Sequence, residues 1–275
     1  MALFNSILGT IFELVMAPFR TLPTLGLVLI SAVVAVGMLL VFKKTSNQAQ
    51  LDAVKRRIHA CLFEIRLFND DLSAIMRAQL EILRHNFSYL RLQLVPLLFI
   101  LPPMIILLVQ LQPFYGYSGF EPGDSALLKV HLNAADGADF RFEDKPAISL
   151  ELPAGVELDS PSVWIPSESE MAWRIQADQP GRYELQVRAG EETFAKTLLV
   201  SEETIRRSPL RATTSLDQFL YPVEKPLPKG GPIASIELTY PEDPYVLLMP
   251  KWMWIFFILT IVFAFALRKP MGVTI

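Results

Sequence analysis

Three stretches of this chain, 24–42, 93–112 and 247–268, are each about the length an α-helix needs to cross a bilayer, and each is nearly free of charge. The hydrocarbon core takes about 20 apolar residues of helix. Lipid offers the backbone no hydrogen-bond partner, so a segment that crosses it satisfies its peptide groups internally. Composition points the same way, since 19% of residues are charged and mean hydropathy is +0.35, whereas soluble domains carry about 25% charge. An integral membrane protein is expected. The first 23 residues do not resemble a cleaved signal, because they lack a basic start and a small-residue cleavage site and carry Glu13 and Arg20 within the apolar run.

The net charge of −3 conceals a division by segment. Residues 43–92 hold nine Lys/Arg against five Asp/Glu, whereas 112–247 hold twelve against twenty-two. Basic loops stay on the cytoplasmic side. The expected topology is therefore N-terminus out, 43–92 in, 113–246 out, and the tail 269–275 in, within a bacterial inner (cytoplasmic) membrane. The single Cys61 falls on the cytoplasmic side, so the outer domain must be held by a hydrophobic core rather than by disulfides.

Within 1–23, Leu3, Phe4, Ile7, Leu8, Ile11, Phe12 and Val15 recur at helical spacing opposite Asn5, Ser6, Thr10 and Glu13, which predicts an amphipathic helix lying in the outer interface. Pro18 and Pro23 separate it from the first span; the alternative is one extended membrane helix from about residue 10. In 43–92, Leu51, Val54, Ile58, Cys61, Ile65, Phe68, Leu72 and Ile75 alternate spacings of 3 and 4, a coiled-coil seam. Extra apolar residues at Leu62, Leu67, Met76, Leu80 and Leu83 widen the stripe, so the arm needs more than one neighbour. An arm between two oppositely directed spans must reverse, and Asn69-Asp70-Asp71 is its most polar interruption. Pro96 and Pro102-Pro103 are expected to kink or open the second span. The third begins with Lys251, Trp252 and Trp254, suited to the outer interface.

Residues 113–246 change texture. Short alternating runs separated by Pro, Gly, Asp and Glu (ALLKVHL, FRFE, AISLELP, VELDSPSVWI, MAWRIQA, GRYELQVRAG, ETFAKTLLV and ASIELTY) predict eight strands and a β-sandwich, with Trp164, Trp173 and Tyr183 as core anchors. The run from Gly181 through Tyr183 and Leu185 to Val187 resembles the immunoglobulin-like strand whose tyrosine ties a corner between the sheets. Residues 204–232, with five prolines, read as a linker or strap.

Catalytic motifs are absent from the sequence. His59, His85 and His131 are too scattered to suggest a metal site, and no nucleotide-binding, zinc-protease or nucleophile-elbow pattern occurs. Cys61 lies on the seam and reads as a packing thiol. Lys55, Arg56 and Arg57 form a basic patch suited to anionic headgroups, with ribosomal RNA as the other polyanion to consider. No enzyme activity, no cofactor, no metal and no specific DNA binding are expected.

The stretch KRRIHACLFEIRLFNDDLSAIMRAQLEILRHNFSYLRLQLVPLLFILPP, between an N-out span and a proline-bearing one, resembles the three-span core of the YidC/Oxa/Alb membrane-protein insertase superfamily over roughly 1–112 and 247–270. That resemblance implies an insertase-like protein that helps clients enter or fold in the membrane through a polar groove among the spans. In the bacterial family the first core span carries an arginine; here, after Thr24 at its edge, Ser31 is the polar side chain inside 24–42, and Arg20 lies before Pro23. The predicted fold is an α-helical membrane protein with three transmembrane helices and a cytoplasmic coiled-coil hairpin, plus an extracytoplasmic immunoglobulin-like β-sandwich. Expected client contacts are Ser31, Met38, Gln93, Met104 and Thr260. Expected partners are membrane lipids, nascent membrane proteins or the ribosome, and other subunits of a membrane complex. The alternative is a non-catalytic envelope scaffold or accessory subunit that binds through its β-sandwich and coiled coil.

Overall fold

The computed structural model describes residues 2–68, 70–133 and 145–273, with side chains from residue 5 onward. About half of the chain is helical, and a region of β-sheet interrupts the helices. Two compact units form: Met1–Pro23 with Leu107–Trp252, and Thr24–Ile106 with Met253–Ile275.

The second unit holds nearly all of α2 (Pro23–Thr45), α3 (Gln48–Leu67) and the greater part of α4 (Leu72–Tyr115), whose last turns belong to the first unit. The first and last of these are long and apolar enough to cross a membrane. In α2 one face is buried, along Leu27, Ser31, Ala35 and Leu39, while Leu25, Leu29 and Val33 are exposed. The helix ends at Thr45, and the Asn47 side chain accepts the Gln50 N–H to cap α3, so the chain changes direction there without a long loop. At the tip of the arm, Asp71 Oδ1 accepts the N–H groups of Ser73 and Ala74 at 2.8 and 3.2 Å, capping α4. Those hydrogen bonds hold the Asp71 carboxyl below its ordinary value. The chain thus reverses at the polar triplet the sequence singled out, whose first member, Asn69, lies outside the described residues.

The reversal re-phases the seam. In α3, Leu51, Val54, Ile58, Cys61 and Ile65 are buried or half-buried, but Phe68 caps the helix and is 47% exposed, and Leu72 is 73% exposed. The inward positions of α4 are instead Ile75, Ala78, Ile82, His85, Tyr89 and Leu92. A single heptad register therefore does not run through the turn, because a hairpin sets two antiparallel faces against each other. Cys61 meets Glu81, and Lys55 lies over the Tyr89 ring at 5.6 Å.

Helix α4 continues unbroken through Pro96, Pro102 and Pro103 for 44 residues, which at 1.5 Å per residue is roughly 66 Å. The helix does not open at these prolines. Each proline removes one N–H, and the flanking turns keep their helical geometry. The helix α6, Lys251–Leu267, is apolar throughout and 17 residues long. Lys43 Nζ donates to the Met271 carbonyl at 2.7 Å, placing the segment after α6 against the end of α2.

In the first unit, α1 covers Ala2–Met16 and a short 3-10 turn covers Ala17–Phe19. The chain bends before α2, so α1 is a separate helix and the extended-span alternative fails. It buries Asn5, Gly9 and Met16 and exposes Ile7, Ile11, Leu14 and Val15. The strands are β1 Ser125–Leu132, β2 Ile148–Glu151, β3 Val156–Ile165, β4 Glu170–Ala177, β5 Gly181–Ala189, β6 Glu192–Val200, β7 Leu210–Ala212, β8 Ile233–Thr239, β9 Tyr245–Val246 and β10 Met249–Pro250. Seven of the eight expected strand segments appear; FRFE lies outside the described residues. A five-stranded antiparallel sheet has the order β3-β4-β1-β8-β7, and a three-stranded one has the order β2-β5-β6.

One core joins the two sheets. Leu128, Val130, Met171, Trp173 and Ile175 come from the first, and Leu185, Val187, Phe194 and Leu198 from the second. Trp164 is 6% and Trp173 4% exposed, and Tyr183 packs at the core's edge. The expected strap is part of this domain: it contributes β7, the helix α5 (Ser215–Leu220), and the buried Arg207, Ser208 and Leu227. β9 and β10 form a two-stranded ribbon whose connecting residues Leu247 and Leu248 are 85% and 91% exposed, and α6 starts only after it, at Lys251.

Helix α1 docks on this unit through a close approach. Arg206 passes over Gly9, where a Cβ would lie 1.8 Å from Nη1. The guanidinium donates from Nη2 to Gln110 Oε1 at 3.2 Å and to the Pro222 carbonyl at 2.9 Å, and lies 3.7 Å from Glu13. Asn5 Nδ2 donates to the Gln218 carbonyl at 2.8 Å. A Gly9→Leu substitution should push Arg206 off these partners and release α1, at a cost of about 1–3 kcal/mol. Faster thiol labelling of a Met16→Cys probe, at a position buried in the docked helix, in a Cys61→Ser background is the measurement; an unchanged labelling rate would show that α1 docks by other means.

Candidate functional site

Along the side of α4 turned away from α3, Leu72, Met76, Leu80, Leu83, Phe87, Leu90, Leu94, Leu97 and Leu101 recur at spacings of 4, 4, 3, 4, 3, 4, 3 and 4, and all nine are exposed. Leu80, Leu83 and Phe87 are 64%, 66% and 71% exposed. This is the pattern of a helix seam, yet the inward face of α4 is used by a different set of residues. Leu62 and Leu67 of α3 are exposed as well. The five residues that widen the stripe in the sequence therefore find no cover among the described residues. Arg77, Arg84 and Arg91, seven residues apart and all exposed, flank the stripe on one side. An apolar band bordered by guanidinium groups fits an apolar helix with carboxylates along its flank.

The expected client-contact residues do not assemble around it. Ser31 is fully buried and its hydroxyl donates to the Leu27 carbonyl at 2.7 Å; Thr260 is 4% exposed and donates to the Phe256 carbonyl at 2.7 Å. Both hydroxyls are thus satisfied one turn back on their own helices. Met38 and Met104 are half-buried. Gln93 lines a groove of about 510 Å³ with Phe42, Phe87, Leu90, Leu94, Leu97 and Ile100, and none of the other four joins it there. That groove is apolar and adjoins the stripe.

The basic patch divides. Lys55 turns inward over Tyr89, while Arg56 and Arg57 are exposed. Arg57 comes together with Arg91 in a second groove of about 670 Å³, walled by Thr45, Asn47, Gln50 and Phe87. Two guanidinium groups at the base of the arm suit a phosphate-bearing headgroup. The pairing of Arg57 with Arg91 was not legible in the sequence, because it depends on the phase of the hairpin.

In the first unit the buried polar groups serve structure. Lys196 Nζ donates to Glu224 Oε2 at 2.6 Å, to the Ser208 carbonyl at 2.7 Å and to Ser208 Oγ at 3.1 Å. A serine beside a lysine can act as a nucleophile with its base. Here Ser208 is 2% exposed, and its hydroxyl donates to Glu224 Oε2 at 2.6 Å. Burial lowers the Lys196 pKa and the Glu224 carboxylate opposes that shift; the Ser208 proton is committed to Glu224 rather than to the lysine, so the trio reads as a buried ion pair with its hydrogen bonds. His131 and Lys129 approach the buried Glu170 at 3.4 and 3.5 Å. In the arm, burial followed by the Glu81 and Glu64 carboxylates raises the Cys61 thiol pKa, which argues against a nucleophilic thiolate.

A scan against protein-family models found no match, and none of the curated proteins matches the chain.

Proposed function

We propose that this chain is an insertase-like membrane protein of the YidC/Oxa/Alb type, which receives apolar segments of client membrane proteins along its cytoplasmic arm and guides them to the bilayer. The observation that carries this reading is the uncovered stripe of α4, which runs without a gap from Leu72 at the arm's tip to Leu101 in the apolar part of the same helix. A client helix bound at Leu80 could follow one continuous surface to Leu97 without ever exposing its own apolar face to water.

In this reading α2, α4 and α6 are the three spans, with N-terminus out and C-terminus in. The 17 residues of α6 rise about 26 Å, close to the hydrocarbon thickness. The α3–α4 hairpin is the coiled-coil arm. The exposed Ile7, Ile11 and Leu14 of α1 rest in the outer interface. The two-sheet domain is read as immunoglobulin-like: β2-β5-β6 match the C, F and G strands, and β3-β4-β1 match D, E and B. The late strand β8 takes the place of strand A. Tyr183, just after the β4–β5 crossover between the sheets, donates its hydroxyl to the Gln179 carbonyl at 2.9 Å, as a corner tyrosine does.

The second reading is an accessory scaffold that holds one constant partner on the same stripe. It is favoured by the self-satisfied Ser31 and Thr260 and by the lack of any charged side chain in 24–42 and 93–112, which leave little to line a hydrophilic path. Photocrosslinkers at Leu80, Leu83 and Phe87, with Arg56 as control, decide between the two. Capture at the stripe of whichever short-tailed membrane protein is being synthesised is the expected result. Capture of one protein regardless of client would overturn the insertase reading in favour of the scaffold.

A further inference from the structure

Across the arm hairpin, Cys61 of α3 faces Glu81 and His85 of α4, which sit one helical turn apart on the same side of their helix. Their ligand atoms all lie within 4.8 Å of one another, and the Cys61 Sγ to Glu81 Oε2 distance is 3.7 Å. We propose that these three side chains form a binding site for a divalent zinc ion that ties the two helices of the arm together.

Geometry and donor chemistry support the assignment. With a Zn–S bond of about 2.3 Å and a Zn–O bond of about 2.0 Å, a tetrahedral ion sets its sulfur and oxygen ligands about 3.5 Å apart, close to the 3.7 Å observed. The remaining ligand-atom distances are at most 4.8 Å, so binding would draw the imidazole nitrogen of His85 in toward the same spacing. Glu and His four residues apart on one helix project from adjacent turns and chelate without bending the backbone. The third donor comes from the opposing helix, so the ion closes a loop rather than decorating a surface.

One soft thiolate, one imidazole and one carboxylate suit zinc and its first-row neighbours; calcium and magnesium take oxygen ligands instead. Three protein donors leave a fourth tetrahedral position for water or a partner's side chain. Cys61 is 5% exposed, His85 half-buried and Glu81 exposed, so an ion would enter from the Glu81 side. His85 also occupies an inward position that Ile75, Ala78 and Ile82 otherwise fill with apolar groups. The site is independent of the client-binding reading, since it lies on the inward face and the stripe on the outward one.

The test is cobalt titration of the untagged full-length chain in detergent, followed by displacement with zinc. Binding of one equivalent should produce tetrahedral cobalt bands in the visible and a thiolate-to-cobalt charge-transfer band in the near ultraviolet, both lost when zinc is added. Cys61→Ala should abolish the charge-transfer band; His85→Ala and Glu81→Gln should each weaken binding at least tenfold. Unchanged helical circular dichroism of the variants separates ligand loss from unfolding, and alanine is small enough to be accommodated at position 61. Absence of the charge-transfer band in the unsubstituted chain, or equal binding by all three variants, would overturn the proposal.

Discussion

Glu224→Gln should destabilise the β-sheet domain by about 3–5 kcal/mol, the range for breaking one side of a buried ion pair. Lys196 is fully buried, and Glu224 is its only anionic partner within bonding distance among the described residues. Neutralising Glu224 leaves an ammonium in the core, where burial opposes charge. The Glu224 carboxylate also accepts from Ser208 and from the backbone N–H of Thr197 at 2.8 Å, so it ties the strap to β6. Removing both charges in a Lys196→Met, Glu224→Leu double variant should restore most of the loss, because the pair's desolvation penalty goes with them. Denaturant melts followed by tryptophan fluorescence report on this domain through Trp164 and Trp173. A double variant as unstable as the single one would show that packing, not charge, sets the effect.

The same pair sets a pH dependence. Burial pushes the Glu224 carboxyl up, but the Lys196 charge and the hydrogen bonds from Lys196, Ser208 and Thr197 outweigh it and hold the carboxyl below its ordinary 4.5. A depressed native pKa contributes stability that is fully present above the unfolded value and is lost as pH falls through the folded one. Acid unfolding of the domain should therefore set in below about pH 4.5. The Glu224→Gln variant should lack that part of the acid transition.

Alternation and helical spacing made much of this architecture legible. Strands such as β1, β5 and β6 could be read because more buried positions alternate with more exposed ones, as in β1, where Ala126, Leu128 and Val130 face inward. Trp164 and Trp173 were readable as large aromatic residues within such runs, although β4 buries Glu170, Met171, Ala172 and Trp173 in succession. The linker-or-strap expectation for 204–232 rested on its prolines; the burial of Arg207 and Ser208 within it could not be read locally, because their partners Tyr117 and Lys196 are distant in sequence. In the arm the turn was visible in three polar residues, but the register after it was not. Nothing local distinguishes Leu72, which faces outward, from Ile75, which faces α3. The cluster of Cys61, Glu81 and His85 was hidden for that reason too, since it exists only once α4 folds back with a particular phase. Ser31 and Thr260 looked like groove residues because a hydroxyl in an apolar span calls for a partner; the sequence could not show that the partner was the carbonyl four residues earlier.

Arg207→Leu should loosen the junction where the last turn of α4 passes into the β-domain, and its effect should rival that of Glu224→Gln. Arg207 is 2% exposed, and among the described residues no carboxylate lies within ion-pair distance of it. Its guanidinium instead donates to backbone carbonyls: Nη1 to Tyr117 at 3.1 Å, and Nη2 to Ser201 at 2.9 Å and Glu203 at 2.7 Å. The Arg207 N–H donates to the Pro113 carbonyl at 3.0 Å, so the same residue grips the end of α4 directly. Removing the guanidinium leaves buried acceptors without donors, at about 1–3 kcal/mol each. Lysine should recover only part, since an ammonium lacks the planar fork that reaches acceptors on two sides. Gly119 completes the arrangement: a Cβ there would lie 1.8 Å from the Ser201 carbonyl oxygen and 2.6 Å from Arg207 Nη2. Gly119→Val should therefore open the same junction by a separate route, and the two substitutions together should cost less than the sum of each alone. Hydrogen exchange over 116–120 and 201–208 is the measurement, with α2 as an internal reference. Both segments should exchange faster in either variant while α2 does not change; unchanged protection at the junction would mean that the carbonyls find other donors and that Arg207 is not what holds it closed.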